Sequence, residues 1–145
     1  MAAMLHLIKL CVGADSVEDL TSWQAQRMAE DRAARREPMP VHVTRMWPRR
    51  EAELLDGGSL YWVIKGLVLA RQRILSLTPR DGADGIRRCA IGFDAQIVRT
   101  VPQPRRPFQG WRYLRPQDAP ADLTGAGASD LPRALVAELA LIGVF

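Results

Sequence analysis

The fold is decided by residues 59–77, which read Ser59-Leu-Tyr-Trp-Val-Ile-Lys-Gly-Leu-Val-Leu-Ala-Arg-Gln-Arg-Ile-Leu-Ser-Leu77. Aromatic and β-branched residues dominate 59–65, which predicts a central β-strand. Gly66 permits a tight turn or a bulge, and the apolar residues of 67–77 predict a second, longer strand. Two strands joined by so short a turn run antiparallel. This stretch therefore predicts the centre of an antiparallel sheet.

Short apolar or alternating runs on both sides of this hairpin predict further strands. The predicted strands cover residues 5–12, 41–47, 88–93, 95–101 and 111–114. The predicted helices cover residues 16–36, 50–56 and 130–141. Ser16 and Asp19 form a capping pair at the start of the first helix. The stretch 102–107 holds three prolines and is predicted to be neither strand nor helix.

Short connections between successive strands favour an α+β fold. The expected architecture is a curved antiparallel sheet or a small β-barrel, with an N-terminal helix and a C-terminal helix packed at its margins. The length of 145 residues suits a single domain over residues 1–145. A chain of this size can bury a hydrophobic core without disulfides or metals.

The cysteines and the N-terminus predict a cytoplasmic protein. Cys11 and Cys89 lie in separate apolar runs, which favours buried free thiols and a reducing compartment. No apolar run approaches the roughly 20 residues that cross a bilayer, so no membrane partner is expected. The first residues lack the basic region and cleavage site of a signal peptide. Translation can start at Met1 or at Met4.

Positive charge is concentrated in the middle of the chain. The net charge is +4 overall, and it divides into −1 over residues 1–40, +8 over 41–115 and −3 over 116–145. Of the 20 basic residues, only Lys9 and Lys65 are lysines. An excess confined to one segment indicates an anionic partner rather than a particular fold.

The sequence contains no recognisable catalytic motif. His6 and His42 lie apart from one another and from other metal ligands, and each is expected to be a strand residue with its hydrogen bonds satisfied. Glu51 and Glu53 would face different sides of a helix, so they form no carboxylate pair. No phosphate-binding loop, zinc motif or nucleophile elbow is present. We therefore expect neither cofactor nor metal, and the pattern disfavours an enzyme.

The basic segment resolves into three clusters, at 45–50, 65–73 and 105–115, that alternate with aromatic residues. Arginine binds phosphate through two nitrogens at once, and aromatic rings stack on unpaired bases. The leading hypothesis is therefore a module that binds RNA or another single-stranded nucleic acid. The residues predicted to contact the backbone are Arg45, Arg49, Arg50, Lys65, Arg71, Arg73, Arg105, Arg106 and Arg112. The residues predicted to contact bases are Gln109 and Trp111.

Strand alternation leaves the orientation of Arg71 and Arg73 open. Both lie an even number of residues from the leucines of 67–77, so a regular strand would place them on the same, apolar side. Either a bulge reverses the parity, or the two arginines line a polar pocket. The pocket would support an alternative hypothesis, in which these arginines and the loop 105–112 hold a phosphorylated or nucleotide-like small molecule as a binding protein or an enzyme.

The third hypothesis is a structural or partner-binding protein. The closing helix is nearly all apolar, and it could join two copies of the chain in a homodimer. On this hypothesis, deletion of residues 130–145 abolishes the dimer.

Several runs carry a resemblance to known families. The segments 42–50, 61–66, 71–75 and 108–114 are similar to those of an uncharacterised family of small alphaproteobacterial proteins, a domain of unknown function. A more distant resemblance is to PUA-like domains, including the ASCH and EVE groups, through the strand, glycine turn and strand of 63–77. The second resemblance implies a small curved β-barrel with flanking helices. It transfers no site residue to this chain.

Overall fold

The computed structural model describes residues 4–123 of the chain. Its helices are α1 (Val17–Ala33) and α2 (Glu51–Leu55), and a 3₁₀ turn covers Pro116–Asp118. Its strands are β1 (His6–Leu10), β2 (Val41–Thr44), β3 (Ser59–Ile64), β4 (Leu67–Asp81), β5 (Arg87–Phe93), β6 (Val98–Pro104) and β7 (Trp111–Leu114). The predicted mixture of a sheet and helices is confirmed for this part of the chain. The predicted C-terminal helix at 130–141 lies outside the described residues.

The predicted hairpin of β3 and β4 forms the centre of a seven-stranded sheet with the order β2-β5-β4-β3-β1-β7. β4 is long enough to pair with β6 through its first residues and with β5 through its last ones. The sheet is not antiparallel throughout, because β1 and β3 run parallel. Parallel pairing needs a long connection, and α1, β2 and α2 supply it between these two strands.

The sheet is open in the described part of the chain. Its two end strands, β2 and β7, do not pair with each other, so the predicted alternative of a small barrel is not confirmed. The loop of residues 45–50 nevertheless crosses from the end of β2 to β7. There the indole nitrogen of Trp111 donates a hydrogen bond to the carbonyl oxygen of Met46 at 3.0 Å.

Two bulges in β4 decide which way its arginines face. Leu69 has no partner in β3, because Trp62 pairs with Ala70 and Val63 pairs with Val68. The extra residue reverses the alternation, so that Gln72 is buried and Arg71 lies on the other face. A second register shift follows at Leu75. A bulge therefore changes the parity, as one of the two alternatives predicted; Arg73 is exposed, whereas Arg71 also lines a polar cavity with Asp122.

β6 corrects the prediction for the proline-rich stretch. The strand continues through Pro102 to Pro104, where the sequence predicted no strand. Among the described strands β6 pairs with β4, and its other edge bonds only to residues 121–123, through a bridge between Thr100 and Asp122. A proline is tolerated in a strand where its missing N–H would point away from the neighbouring strand.

α1 packs on the sheet mainly through its first turns. The hydroxyl of Ser16 accepts a hydrogen bond from the backbone nitrogen of Asp19 at 3.2 Å, which confirms the predicted cap. Val17 and Leu20 are its buried residues, whereas Trp23 is 44% exposed. The helix ends three residues earlier than predicted, and Arg35 follows in the left-handed region at φ 58°. No helix among residues 4–123 has the length and apolar character needed to cross a membrane.

Both cysteines are buried and unpaired, as the sequence predicted. Burial raises the pKa of the Cys11 and Cys89 thiols to about 11. At neutral pH both groups therefore stay protonated, in the form that is the weaker nucleophile and metal ligand. They contribute to the core as small apolar groups.

Candidate nucleic-acid interface

Strand β7 is the place where two of the three arginine clusters meet. Its Tyr113 hydroxyl accepts hydrogen bonds from the backbone nitrogens of Arg49 and Arg50, at 2.9 and 3.2 Å. The loop 105–110 leads directly into the same strand. The clusters that lie at 45–50 and 105–115 in the sequence are therefore neighbours in space, held together by the Tyr113 hydroxyl and by the bond from Trp111 to Met46.

A concave site, which we call the basic cleft, lies between this loop and β7. It has a volume of about 490 Å³, and none of its lining residues within 4–123 is acidic. Its lining residues are Ile8, Pro104, Arg105, Arg106, Pro107, Phe108, Arg112, Tyr113 and Leu114. The cleft therefore combines three cationic side chains and two aromatic rings on an apolar floor.

The guanidinium groups of the basic cleft are held by neutral partners. Arg112 donates to the carbonyl oxygens of Gln109 and Trp111 at 2.6 and 3.1 Å, and its Cζ lies 5.6 Å from the centre of the Phe108 ring. Arg105 donates to the side-chain oxygen of Gln103 at 2.9 and 3.1 Å. These contacts orient the guanidinium planes but leave their charges uncompensated, so both groups remain able to bind an anion.

The structure separates the predicted cations into paired and unpaired groups. Arg50 pairs with Glu53, Lys65 with Asp15 at 3.4 Å, and Arg71 with Asp122 at 2.6 Å. Within residues 4–123, the predicted cations without a carboxylate partner are Arg45, Arg49, Arg73, Arg105, Arg106 and Arg112. The unpaired arginines are those best able to bind an external phosphate, because no internal carboxylate competes for them.

The aromatic contribution differs from the prediction. Trp111 is only 7% exposed, and its N–H is already bonded to the 45–50 loop, so its ring has no open face for a base in this arrangement. Tyr113, which lies edge-on to Trp111 at 4.9 Å, and Phe108 line the basic cleft instead. Sequence reasoning named Trp111 and neither of these rings, because residue type alone does not show which ring the 45–50 loop covers. Gln109 is exposed next to the cleft.

Arg71 lies in a different cavity, of about 320 Å³, beneath the turn at 116–118. Its guanidinium makes two parallel hydrogen bonds to Asp122, at 2.6 and 2.7 Å, and a third to the Ser59 hydroxyl at 3.0 Å. Hydrogen bonding to Arg71 lowers the pKa of the Asp122 carboxyl, which stays charged and neutralises the arginine. Arg73 is exposed and does not line this cavity. Arg71, Arg73 and the 105–112 loop therefore do not share one pocket in the described structure.

Both histidines are neutral strand residues at physiological pH. The Nδ1 atom of His6 accepts a hydrogen bond from the backbone nitrogen of Ser59 at 3.0 Å, which places the ring proton on Nε2. Burial, and then the charge of Arg71, lowers the pKa of His6. Burial, with Lys9 and Arg27, lowers the pKa of His42 to about 4. The expectation of satisfied hydrogen bonds is met for His6, whereas no hydrogen bond joins His42 to another described side chain or backbone group.

Acidification is expected to destabilise the protein over the pH range between the unfolded and the folded pKa values of these histidines. Their pKa values are lowered in the folded state, so below pH 6.5 the unfolded chain binds more protons than the folded chain. The free energy of unfolding is therefore highest above that pH and decreases as the pH falls toward about 4. We expect a loss of roughly 2 kcal/mol in the free energy of unfolding, after allowance for partial exposure. Urea unfolding at about pH 7 and about pH 5 measures it.

The His42→Gln variant tests the origin of this effect, because it removes one of the two titrating rings. Its free energy of unfolding should change less between the two pH values than that of the wild type. The hydrogen bond to Arg71 lowers the pKa of Asp122 from its ordinary value of 3.8, so the contribution of Asp122 is lost only below both pH values used here. An unchanged pH dependence in the variant would show that His42 is not responsible.

Comparison with known proteins places the chain in a family without assigning an activity. A family model described as "Protein of unknown function (DUF1489)" matches residues 7–145. No curated protein and no solved structure matches the chain.

Proposed function

We propose that this chain, which belongs to the DUF1489 family of proteins of unknown function, binds RNA or another single-stranded nucleic acid at the basic cleft. One observation carries the proposal: in the described part of the chain, three arginines without carboxylate partners surround two aromatic rings in a cavity that no acidic residue lines. Guanidinium groups bind phosphates, and the rings offer flat faces for bases.

The concave shape favours a single strand over a duplex. Readers of duplex DNA usually insert a projecting helix or β-ribbon into the major groove. The basic cleft is instead a depression beside a four-residue strand. An unpaired base can enter such a depression while its phosphates stay at the arginine-lined rim. Exposed Arg45 and Arg49, on the loop bonded to Tyr113, would extend the cationic surface along the strand.

The alternative ligand for the same cleft is a phosphorylated small molecule. The observation that favours it is the volume of about 490 Å³, which lies within the range of ordinary small-molecule sites. A single nucleotide that binds as tightly as a ten-residue strand would support this alternative, because it would show that neighbouring phosphates add nothing.

Salt dependence tests the proposed function directly. Each phosphate contact on a single strand contributes about −0.7 to the slope of log affinity against log salt concentration, so three contacts predict about −2. Fluorescence anisotropy with a labelled oligouridylate at several salt concentrations measures the slope, and a duplex of equal length is the control. A dissociation constant weaker than micromolar at low salt, or a slope near zero, would refute the proposal.

Four expectations remain proposals beside this one: a PUA-like curvature of the sheet, an alphaproteobacterial source, a cytoplasmic location and a homodimer. The curvature is supported by the hydrogen bond between Trp111 and Met46, which brings the end of β2 toward β7. The predicted dimer helix lies beyond residue 123, outside the described part of the chain.

A further inference from the structure

A second concave site lies between α1, the end of β1 and the start of β2. Its volume is about 380 Å³. We call it the aromatic cleft, and its lining residues are Lys9, Leu10, Cys11, Val12, Leu20, Trp23, Gln24, Arg27, Val41, His42, Trp62 and Phe93. It shares no lining residue with the basic cleft. The proposals for the two sites can therefore be tested independently of each other.

The walls of the aromatic cleft are flat and apolar. Trp62 is buried at its base and contacts Phe93 and His42 edge-on, with ring centres 5.9 Å apart in both pairs. Trp23 stands on α1 and is 44% exposed, and the neighbouring Val12 is 79% exposed. The two side chains leave apolar surface open beside the cavity, and a flat ligand in the cleft would cover it.

A partly buried amide pair fixes one wall of the cleft. Gln72, fully buried in β4, exchanges two hydrogen bonds of 2.7 Å with Gln24 on α1. Gln72 also accepts from the Trp62 indole at 3.0 Å and donates to the carbonyl oxygen of Asp94 at 3.1 Å. This network holds Gln24 and Trp62 rigidly, so a ligand would meet groups that are already ordered, which lowers the entropic cost of binding.

Unused polar groups face the same space. The ring of neutral His42 has one donor and one acceptor, and neither bonds to another described residue. Gln24 keeps one N–H and one oxygen lone pair beyond its bonds to Gln72. Lys9 and Arg27 also line the cleft, and no acidic residue among those that the structure describes does. The cleft thus combines aromatic stacking, donors and acceptors, and positive charge.

We propose that the aromatic cleft binds a nucleotide. The base would stack on Trp23 and bond to His42 or Gln24, and Lys9 or Arg27 would hold the phosphate. Planar heteroaromatic rings match the flat walls, and their edges carry the donors and acceptors that neutral histidine and glutamine can satisfy. The nucleotide can be free, or it can be one unit of a strand, since both sources present the same chemistry.

Isothermal titration with adenosine and uridine monophosphates tests this proposal on the full-length chain. Trp23→Ala should weaken binding at least about fivefold, the lower end of measured base–aromatic stacking. His42→Gln, a smaller change inside the cleft, should also weaken it. The matched control is Leu75→Ala, which removes another exposed apolar side chain outside the cleft and should leave affinity unchanged. Urea unfolding of each variant verifies that it is folded.

The source of the nucleotide is distinguished by repeating the titration with an oligonucleotide. Weaker oligonucleotide binding by Trp23→Ala would support a base within a strand, whereas an effect on monophosphates alone would support a free nucleotide. Three results would overturn the proposal. They are the absence of monophosphate binding, equal affinity in wild type and Trp23→Ala, and ribose 5-phosphate binding as tightly as a nucleotide, which would show that no base is recognised.

Discussion

Replacing Arg105, Arg106 and Arg112 together by alanine is expected to weaken the binding of single-stranded RNA about a hundredfold at low salt. All three side chains line the basic cleft, and within residues 4–123 none pairs with a carboxylate. Each substitution removes a charge-assisted contact to phosphate together with the counterion release that accompanies it. The slope of log affinity against log salt concentration should become less negative by about 2, and so approach zero. Fluorescence anisotropy of wild type and variant over the same salt range measures both effects.

The control for this experiment must change the net charge equally. Arg32, Arg80 and Arg87 are exposed and do not line the basic cleft, so their combined replacement by alanine removes the same three charges elsewhere. We expect this second triple variant to bind nearly as well as the wild type. Equal losses in both triple variants would indicate diffuse attraction to a basic protein and would contradict a localised site.

The second large effect concerns Gly58, at the junction of α2 and β3. A Cβ atom at this position would lie 2.1 Å from the carbonyl oxygen of Leu5 and 2.5 Å from that of Leu54. Both are backbone atoms, and Gly58 is itself bonded to Leu54 and Ile74. Gly58→Ala must therefore displace the backbone, and we expect it to destabilise the protein by about 3 kcal/mol. The melting temperature should fall by about 10 °C.

Gly85→Ala is the matched control for this substitution. Gly85 has φ +79°, but no atom lies within 4 Å of the position its Cβ would take. The strain of a left-handed alanine should cost only about 1 kcal/mol. Urea and thermal unfolding of both variants compare a backbone collision with conformational strain alone. If the two variants lose equal stability, the crowding around Gly58 is not significant.

The positions of most strands could be predicted from the sequence because they depend on local residue preferences. The strand predicted at 59–65 is observed as Ser59–Ile64, and the one predicted at 67–77 begins at Leu67. β4 extends further, to Asp81 and through Pro79, because β5 provides a partner along that length. Strand ends therefore depend on the neighbouring strand, which residue preferences do not contain.

The residues of the candidate interface could be predicted from the sequence, but their arrangement in the folded protein could not. Arg105, Arg106 and Arg112 were among the predicted contacts, and the structure gathers them in one cleft. It also buries Trp111 and turns Tyr113 toward that cleft. Which of two aromatic side chains remains accessible depends on the loop that covers β7, and this loop belongs to a distant part of the sequence.

The sequence by itself determined the central hairpin, the order of the helices and strands up to β7 and the concentration of arginine in the middle of the chain. The tertiary structure decided which arginines remain able to bind a partner. One-residue bulges reverse the faces of β4, and Arg71 finds its carboxylate partner 51 positions away in Asp122. Neither effect is local, because a bulge depends on the pairing strand and an ion pair depends on residues that only folding brings together.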